Sequence, residues 1–185
     1  GAGSGKTRVL TYRVAYLMEE KRIPASQILR DTFTNKAAGE MKDRIMKLLS
    51  LNSKLSSPSS SSIPLSGTFH SLCAKILRID GKHLGIPTNF AIYDSQDQTD
   101  AVKEIMKRLD ISQKNFNPNA ILHTISEAKN ELIAAVEYAQ YARGYFQETA
   151  ARIFLEYQKV LKDNQALDFD DLLGKTVELF GKNSE

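Results

Sequence analysis

The chain begins with Gly1-Ala2-Gly3-Ser4-Gly5-Lys6-Thr7, and this stretch governs how the rest is interpreted. It matches the motif G-x-x-x-x-G-K-[ST] at every position except the first glycine, which would precede Gly1. In that motif, backbone N–H groups surround phosphates, the lysine reaches the β- and γ-phosphates, and the hydroxyl residue binds Mg²⁺. The sequence therefore predicts a nucleoside triphosphate site in a chain that starts inside the loop. A glycine-rich arm without a ligand is the alternative.

The residues after the loop have the spacing of an amphipathic helix. Leu10, Val14, Leu17 and Met18 recur at i, i+4, i+7 and i+8. A helix directly after the loop is the context that the motif requires, because the helix N-terminus adds partial positive charge to the anion site. The strand that should precede the loop is missing from the sequence.

The composition indicates a globular protein without a membrane span. The 185 residues, 42% hydrophobic and 25% charged, fit one domain, with or without a small insertion. A net charge of +3 permits a nucleic-acid partner without requiring one. No apolar run is long enough to cross a bilayer. Cys73 is the only cysteine, which excludes an internal disulfide and favours the cytoplasm, and we expect it to be buried on a helix.

The first 85 residues alternate between predicted helices and strands, as in a parallel α/β sheet. The predicted elements are a helix from Gly5 to Lys21, a strand from Gln27 to Thr34, a helix capped by Asn35 with Met41, Ile45, Leu48 and Leu49 buried, a strand from Leu65 to Phe69, and a helix from His70 to Lys82. The serine-rich segment from Asn52 to Ser62 predicts a mobile loop.

From about Ile86 the strand signals vanish and the pattern becomes helical. The predicted helices are Ser95 to Leu109, Asn119 to Asn130 with Asn117 as its cap and Pro118 at the first helical position, Ala134 to Arg143, and Tyr145 to Asp163. Asp168 is predicted to cap a last helix, in which Phe169, Leu172, Leu173 and Val177 face inward. The helices from Ser95 to Asp163, before this last helix, are therefore interpreted as an all-helical insertion.

Several motifs in register resemble a known family. They are Gly1–Arg8, Thr32-Phe33-Thr34-Asn35-Lys36-Ala37-Ala38-Gly39-Glu40-Met41, Gly67-Thr68-Phe69-His70-Ser71 and Leu167-Asp168-Phe169-Asp170-Asp171-Leu172-Leu173. In this order and spacing they resemble the early motifs of superfamily 1A DNA helicases, the UvrD/Rep/PcrA family. The segments Asn89–Asp94 and Ile125–Asn130 are also similar to that family, so the resemblance covers nearly the whole chain.

The resemblance implies a fold. It is an α/β P-loop NTPase with an incomplete RecA-like parallel sheet, interrupted by an all-helical subdomain. Residues 1–85 would form the first part of domain 1A, residues 86–163 subdomain 1B, and residues 164–185 the return to domain 1A. The composition changes near Ile86, at the same place as the implied boundary.

The resemblance also implies ATP and Mg²⁺ as cofactors. Lys6 and Thr7 would be the catalytic residues, with Lys6 neutralising phosphoryl charge and Thr7 holding the Mg²⁺. The implied nucleotide-binding residues are Gly1, Ala2, Gly3, Ser4, Gly5, Lys6, Thr7 and Arg8. For Arg8, a solvated position on the helix is the alternative.

Two segments are implied to contact single-stranded DNA. Their residues are Thr32, Phe33, Thr34, Asn35, Lys36, Thr68, Phe69 and His70. Phe33 would stack on a base of any identity, or would be a core residue of its strand. For His70, the alternative to a DNA contact is a role as a helix cap or in packing.

Other charged residues are better explained by structure than by a site. Lys42, Arg44 and Lys47 fit a solvated helix face better than a DNA contact. The three aspartates Asp168, Asp170 and Asp171 fit capping and helix-dipole compensation better than a metal site.

The sequence departs from the family at several points. No Asp-Glu pair occurs in it, although family members use such a pair to bind Mg²⁺ and activate water. The second RecA-like domain with its arginine fingers is also missing. Arg30 and Asp31 stand in a predicted strand that is normally apolar, because a parallel strand is buried on both faces.

These observations lead to two functional hypotheses of different classes. The first is the N-terminal fragment, inactive by itself, of a cytoplasmic ATP-dependent helicase that moves 3′ to 5′ on single-stranded DNA in repair or replication. Its partners would include junctions of single- and double-stranded DNA. The second is a non-catalytic nucleotide- or DNA-binding module. A third possibility is a small P-loop kinase or GTPase, of which the GTPase is disfavoured because no Asn-Lys-x-Asp pattern occurs. The oligomeric state is not predicted.

Overall fold

The computed structural model describes residues 5–32, 34–52 and 64–182, with the backbone alone for Lys6, Thr7, Asn35, Leu51 and Asn52. Residues 1–72 and 73–185 form two compact units, here called the N-terminal unit and the C-terminal unit. The predicted domain boundaries after residues 85 and 163 stay predictions. Most of the predicted serine-rich loop lies outside the described residues.

Within those ranges, helices outnumber strands and the strands are short. The helices are α1 (Lys6–Glu19), α2 (Asn35–Asn52), α3 (Phe69–Asp80), α4 (Ser95–Arg108), α5 (Pro118–Asn130), α6 (Ala135–Tyr141), α7 (Tyr145–Asp163) and α8 (Phe169–Lys182). The strands are β1 (Leu29–Asp31), β2 (Leu65–Gly67), β3 (Ala91–Ile92) and β4 (Ala166–Leu167). The 3₁₀ turns are Ala25–Gln27 and Gly81–Leu84.

The strands form two parallel pairs. In one pair, the register places Leu29, Arg30 and Asp31 of β1 opposite Leu65, Ser66 and Gly67 of β2. In the other pair, β3 lies beside β4. Parallel neighbours need a crossover connection, which α2 supplies in the first pair and α4 to α7 in the second. The predicted parallel α/β character is therefore confirmed, and the RecA-like sheet stays a prediction.

The core of the N-terminal unit lies between α1, α2 and the start of β1. Its buried residues are Val14, Ala15, Ile28, Met41, Ile45 and Leu49. The predicted buried face of α2 is confirmed, since Met41, Ile45 and Leu49 are buried and Leu48 packs against them. The predicted face of α1 is wrong at Leu10, which is 51% exposed. The helix buries Thr11 one position later, together with Val14 and Ala15.

The C-terminal unit contains two apolar clusters. One joins α4, α5 and α7 through residues such as Val102, Ile125 and Phe154. The other contains Cys73 and Leu77 of α3, which cluster with Leu172 of α8. Cys73 is therefore buried on a helix, as predicted.

Local capping explains where several of these helices begin. The Asp94 carboxylate accepts hydrogen bonds from the N–H groups of Gln96 and Asp97 ahead of α4. The Asn117 side chain accepts one from Asn119 N–H, 2.9 Å away, and Pro118 is the first residue of α5, as predicted. The bounds predicted for α7 are also those of the structure.

Several predicted elements need correction. The strand predicted from Gln27 to Thr34 is reduced to Leu29–Asp31. Phe69 is not the end of a strand but the first residue of α3. The absence of strands after Ile86 is wrong, because β3 and β4 pair there. Phe169 and Val177 are 38% and 54% exposed, because α8 buries a narrower face formed by Leu172, Thr176 and Leu179.

Candidate functional site

The predicted phosphate loop is described only at its end. Gly5 immediately precedes α1 and has φ +73°, in the left-handed region that glycine adopts without strain. At Gly5 the chain therefore changes direction and enters a 14-residue helix, whose N-terminus carries partial positive charge. Residues 1–4 and the side chains of Lys6 and Thr7 lie outside the described part. Arg8 is exposed, with its guanidinium 5.7 Å from the ring centroid of Tyr12.

A second candidate site lies where β1 and β2 end. The strands are parallel, so their carboxyl ends meet at one edge, where open α/β sheets bind ligands. Thr32 N–H donates to Gly67 O at 2.9 Å, which joins the two predicted DNA-binding segments. The Thr32 hydroxyl also donates to Thr34 O at 3.0 Å.

Each of these two strands leads into a helix capped by a threonine. Thr34 Oγ1 accepts from Ala37 N–H at the start of α2, and Thr68 Oγ1 accepts from Ser71 N–H at the start of α3, both at 3.2 Å. The cap predicted at Asn35 is therefore wrong, since Asn35 is the first residue of α2. Each threonine satisfies one of the N–H groups that a helix leaves unpaired at its start. The edge thus combines hydroxyl groups with two helix N-termini, a chemistry suited to phosphate oxygens.

The remaining predicted DNA-binding residues differ in exposure. Phe69 is 57% exposed although its ring is large and apolar, and Lys36 is also exposed. His70 is half-buried. Phe33 and the Asn35 side chain lie outside the described residues, so their predicted roles stay predictions. An exposed aromatic ring beside a helix N-terminus suits stacking on a nucleic-acid base.

The departure at Arg30 and Asp31 places polar groups inside the N-terminal unit. Arg30 is 7% exposed, and Nη2 donates to the Ser66 hydroxyl on β2, whereas Nε and Nη1 are buried without a hydrogen-bond partner. Burial lowers the pKa of Arg30, because desolvation disfavours its charged form. Asp31 does not compensate, since neighbouring strand residues point to opposite faces. Its Oδ1 is likewise buried without a partner.

We expect Arg30→Val to stabilise the N-terminal unit by about 1–3 kcal/mol, because it removes a buried cation with unpaired donors. Urea unfolding, monitored through hydrogen exchange of the α1 and α2 amides, measures the change in the free energy of unfolding. Arg30→Lys keeps the buried charge and is the control, with no stabilisation expected. A loss of stability in Arg30→Val would show that the guanidinium is favourable where it is.

The C-terminal unit contains a buried ionic cluster that sequence reasoning missed. Lys129 Nζ on α5 lies 2.6 Å from Asp168 Oδ2 and 2.9 Å from Asp171 Oδ1. The Tyr157 hydroxyl on α7 donates to Asp168 Oδ2 at 3.1 Å. Asp168 also accepts from Asp171 N–H at 2.8 Å, so its predicted role as the cap of α8 is confirmed.

Burial and the neighbouring charge of Lys129 shift the pKa of Asp171 in opposite directions. Burial raises the pKa of Asp171, with Lys129 acting against it and the Asp168 charge adding to it. Burial, together with the Asp168 charge, also raises the pKa of Tyr157 and keeps its hydroxyl protonated as a donor. No signal in the sequence pairs Lys129 with aspartates so far along the chain. Among the described residues, no group of three or more His, Cys, Asp or Glu is arranged to hold a metal ion.

The whole chain, residues 1–185, matches the UvrD/REP helicase N-terminal domain, and it belongs to that family. Over all of its 185 residues it is 48% identical to the ATP-dependent DNA helicase PcrA of Bacillus subtilis strain 168. It is 42% identical to the enzymes of the same name from Staphylococcus aureus strain Mu50 and Staphylococcus epidermidis. The chain spans 24% of the length of each of these relatives. In the described ranges, no helix has the length and apolar character of a membrane span.

Proposed function

We propose that this chain is the N-terminal part of an ATP-dependent DNA helicase that moves 3′ to 5′ along single-stranded DNA in repair or replication. The observation that carries the proposal is the match of the whole chain to a helicase family whose named relatives are ATP-dependent DNA helicases. Two helix N-termini at one strand edge support it, because they provide a place for a polyanion. A cytoplasmic location stays a prediction.

ATP and Mg²⁺ are the cofactors of this proposal. The residues fit these cofactors. Gly5, in the left-handed conformation, directly precedes a 14-residue helix, and Lys6 and Thr7 are the first two residues of that helix. Lys6 would contact the β- and γ-phosphates, Thr7 would bind Mg²⁺, and residues 1–5 would surround the phosphates with N–H groups, with Arg8 beside the nucleotide. When bound, Mg²⁺ supplies charge that offsets the negative charge developing on the transferred phosphoryl group.

Single-stranded DNA is the proposed partner at the edge formed by β1 and β2. Thr34 and Thr68 supply hydroxyl groups that can donate to phosphates, and the exposed Phe69 supplies a stacking surface. Thr32 donates its own hydroxyl to Thr34 O and so helps to hold this edge in place. Phe33, Asn35, Lys36 and His70 complete the contacts that the family resemblance implies. Such contacts are independent of base identity, which suits a protein that moves along any strand.

We further propose that the 185-residue segment by itself does not hydrolyse ATP. Its sequence contains no Asp-Glu pair to hold Mg²⁺ and activate water. In the full-length protein, ATP would close a cleft between two RecA-like domains, and hydrolysis would reopen it. Magnesium-dependent turnover by the segment that disappears in Lys6→Ala would contradict this.

The proposed function is tested on the full-length protein with duplexes that carry a 3′ or a 5′ single-stranded tail. We expect ATP hydrolysis to increase when single-stranded DNA is added, and unwinding to require the 3′ tail. Unwinding from the 5′ tail alone would contradict the proposed direction. Binding of ATP and DNA without any turnover would favour the non-catalytic binding module.

We expect Phe69→Ala to weaken single-stranded DNA binding by about 1–3 kcal/mol, because it removes a stacking surface. The salt dependence should stay the same, because no cation is lost. Phe180→Ala is the matched control, since Phe180 is 59% exposed against 57% for Phe69 but lies on α8. Fluorescence anisotropy of a labelled oligonucleotide at several salt concentrations measures both quantities. Equal effects of the two variants on DNA binding would show that Phe69 is not part of the DNA-binding site.

A further inference from the structure

We propose that a basic surface of the C-terminal unit, formed by Lys75, Arg78, Lys82 and Lys162, binds the phosphate backbone of DNA. It rests on the proposed function, because it assigns a second contact surface to the same partner. The surface is defined by those four residues, none of which belongs to the nucleotide loop or to the threonine-capped edge.

Three of these residues, Lys75, Arg78 and Lys82, form a row along one side of α3 and the turn that follows it. Lys75 and Arg78 are three residues apart on the helix, and Lys82 continues the row in the 3₁₀ turn Gly81–Leu84. All three are exposed, whereas Cys73 and Leu77 on another side of α3 are buried. At about 1.5 Å per residue, the row is on the order of 10 Å long. The cations are therefore presented to solvent side by side.

The fourth residue, Lys162, is connected to this row through a shared cleft of about 740 Å³. Lys82 and Lys162 both line that cleft. Of its other charged side chains, Asp171 is buried against Lys129, and Lys175 is paired with Glu178 at 2.8 Å. Neither Lys82 nor Lys162 forms an ion pair within the part of the chain that the structure describes. The cleft therefore presents unneutralised positive charge.

Arg78 is connected to the same cleft through Phe90. Its guanidinium lies 5.2 Å from the centroid of the Phe90 ring, which is 2% exposed and also lines the cleft. A cation–π contact orients the guanidinium while its N–H donors stay available to an anion. The row on α3 and the lysines of the cleft therefore form one continuous surface.

The arrangement fits a polyanion better than an acidic protein surface. The whole chain is almost balanced in charge, with 25 Lys and Arg against 22 Asp and Glu. On α4 and α7, basic side chains are interleaved with carboxylates, as in the pairs Lys103–Asp100 and Lys159–Glu156. On α3 the only carboxylate is Asp80, five residues after Lys75 and on a different side of the helix. A row of cations without carboxylates matches the evenly charged backbone of DNA.

The test is the salt dependence of DNA binding by the full-length protein. The variant Lys75→Gln/Arg78→Gln/Lys82→Gln is compared with Lys107→Gln/Lys114→Gln/Arg152→Gln, which removes the same charge from exposed positions elsewhere in the C-terminal unit. The probes are a single-stranded oligonucleotide, a 3′-tailed duplex and poly-glutamate. Thermal unfolding of both variants confirms that they are folded.

We expect the slope of log K against log[salt] for DNA to fall by about 2–3 in the first variant, because each lost phosphate contact removes close to one unit. The second variant should keep the wild-type slope, and Lys162→Gln added to the first should lower it further. Equal slopes in the two variants would overturn the inference while leaving the proposed function intact. Loss of poly-glutamate binding with DNA binding unchanged would assign the surface to an acidic protein and overturn it as well. A wild-type protein that binds no DNA would overturn the proposed function itself.

Discussion

Replacing Lys129 by methionine is expected to lower the free energy of unfolding of the C-terminal unit by about 3–5 kcal/mol. The Lys129 side chain is 7% exposed and lies between two carboxylates, whose side chains are 2% and 11% exposed. Without it, Asp168 and Asp171 would be buried without a cationic partner, and only the hydrogen bonds to Asp168 from the Tyr157 hydroxyl and Asp171 N–H and the N-terminal dipole of α8 would oppose their negative charge. Urea unfolding, with hydrogen exchange of the α5 and α8 amides, measures the loss.

The matched control for this prediction is Lys159→Met. Lys159 Nζ lies 2.6 Å from Glu156 Oε1, the same distance as in the Lys129–Asp168 pair, but its side chain is 66% exposed. An exposed pair contributes at most about 1 kcal/mol, so the two variants separate burial from distance. Adding Asp171→Asn to Lys129→Met should restore part of the stability by removing one uncompensated charge. Equal losses in the two lysine variants would show that the buried cluster does not stabilise the unit.

Replacing Lys6 by alanine in the full-length protein is expected to reduce ATP turnover by on the order of 100- to 1000-fold. The basis is that removal of one group that stabilises transition-state charge costs about this much. The protein should still bind single-stranded DNA, because the edge formed by β1 and β2 does not include Lys6. A phosphate-release assay, with and without DNA, measures the change.

Lys21→Ala is the control for the Lys6 variant. It removes the same charge from just beyond α1, where the ammonium lies 5.8 Å from the ring centroid of Tyr16. Its turnover should equal that of the wild type. If Lys6→Ala kept full turnover while Lys21→Ala behaved normally, the N-terminal loop would not be the site of phosphoryl transfer.

Features set by neighbouring residues could be predicted from the sequence. The bounds of α7 are those predicted, and the start of α5 follows from Asn117 and Pro118. Cys73 is buried as its small apolar side chain suggests. Each of these depends on a few consecutive residues, and tertiary packing reinforces the local preference.

Features that depend on distant residues could not be predicted. β3 and β4 have two residues each, too few to show a detectable periodicity in the sequence. Their extended form depends on pairing with each other, although α4 to α7 separate them along the chain. Lys129 near the end of α5 resembles an ordinary cation at a helix C-terminus. Its true partner Asp168 is 39 residues further along the chain.

The candidate site shows the same division. The two segments at the strand edge were predicted from their motifs, and the hydrogen bond from Thr32 to Gly67 brings them together. The choice of Thr34 over Asn35 as the cap of α2 was not predictable, because both residue types cap helices well. The structure shows that α2 begins at Asn35, which leaves Thr34 as its cap.

Thr34 and Thr68 repeat one capping arrangement just beyond the ends of two adjacent strands, and neighbouring strands lie about 5 Å apart in a sheet. If this edge binds a polyanion, as proposed above, the two capped helix N-termini contact its backbone charges and leave its side groups unread. A contact of this kind would place no restriction on the order of the bases, because base edges take no part in it.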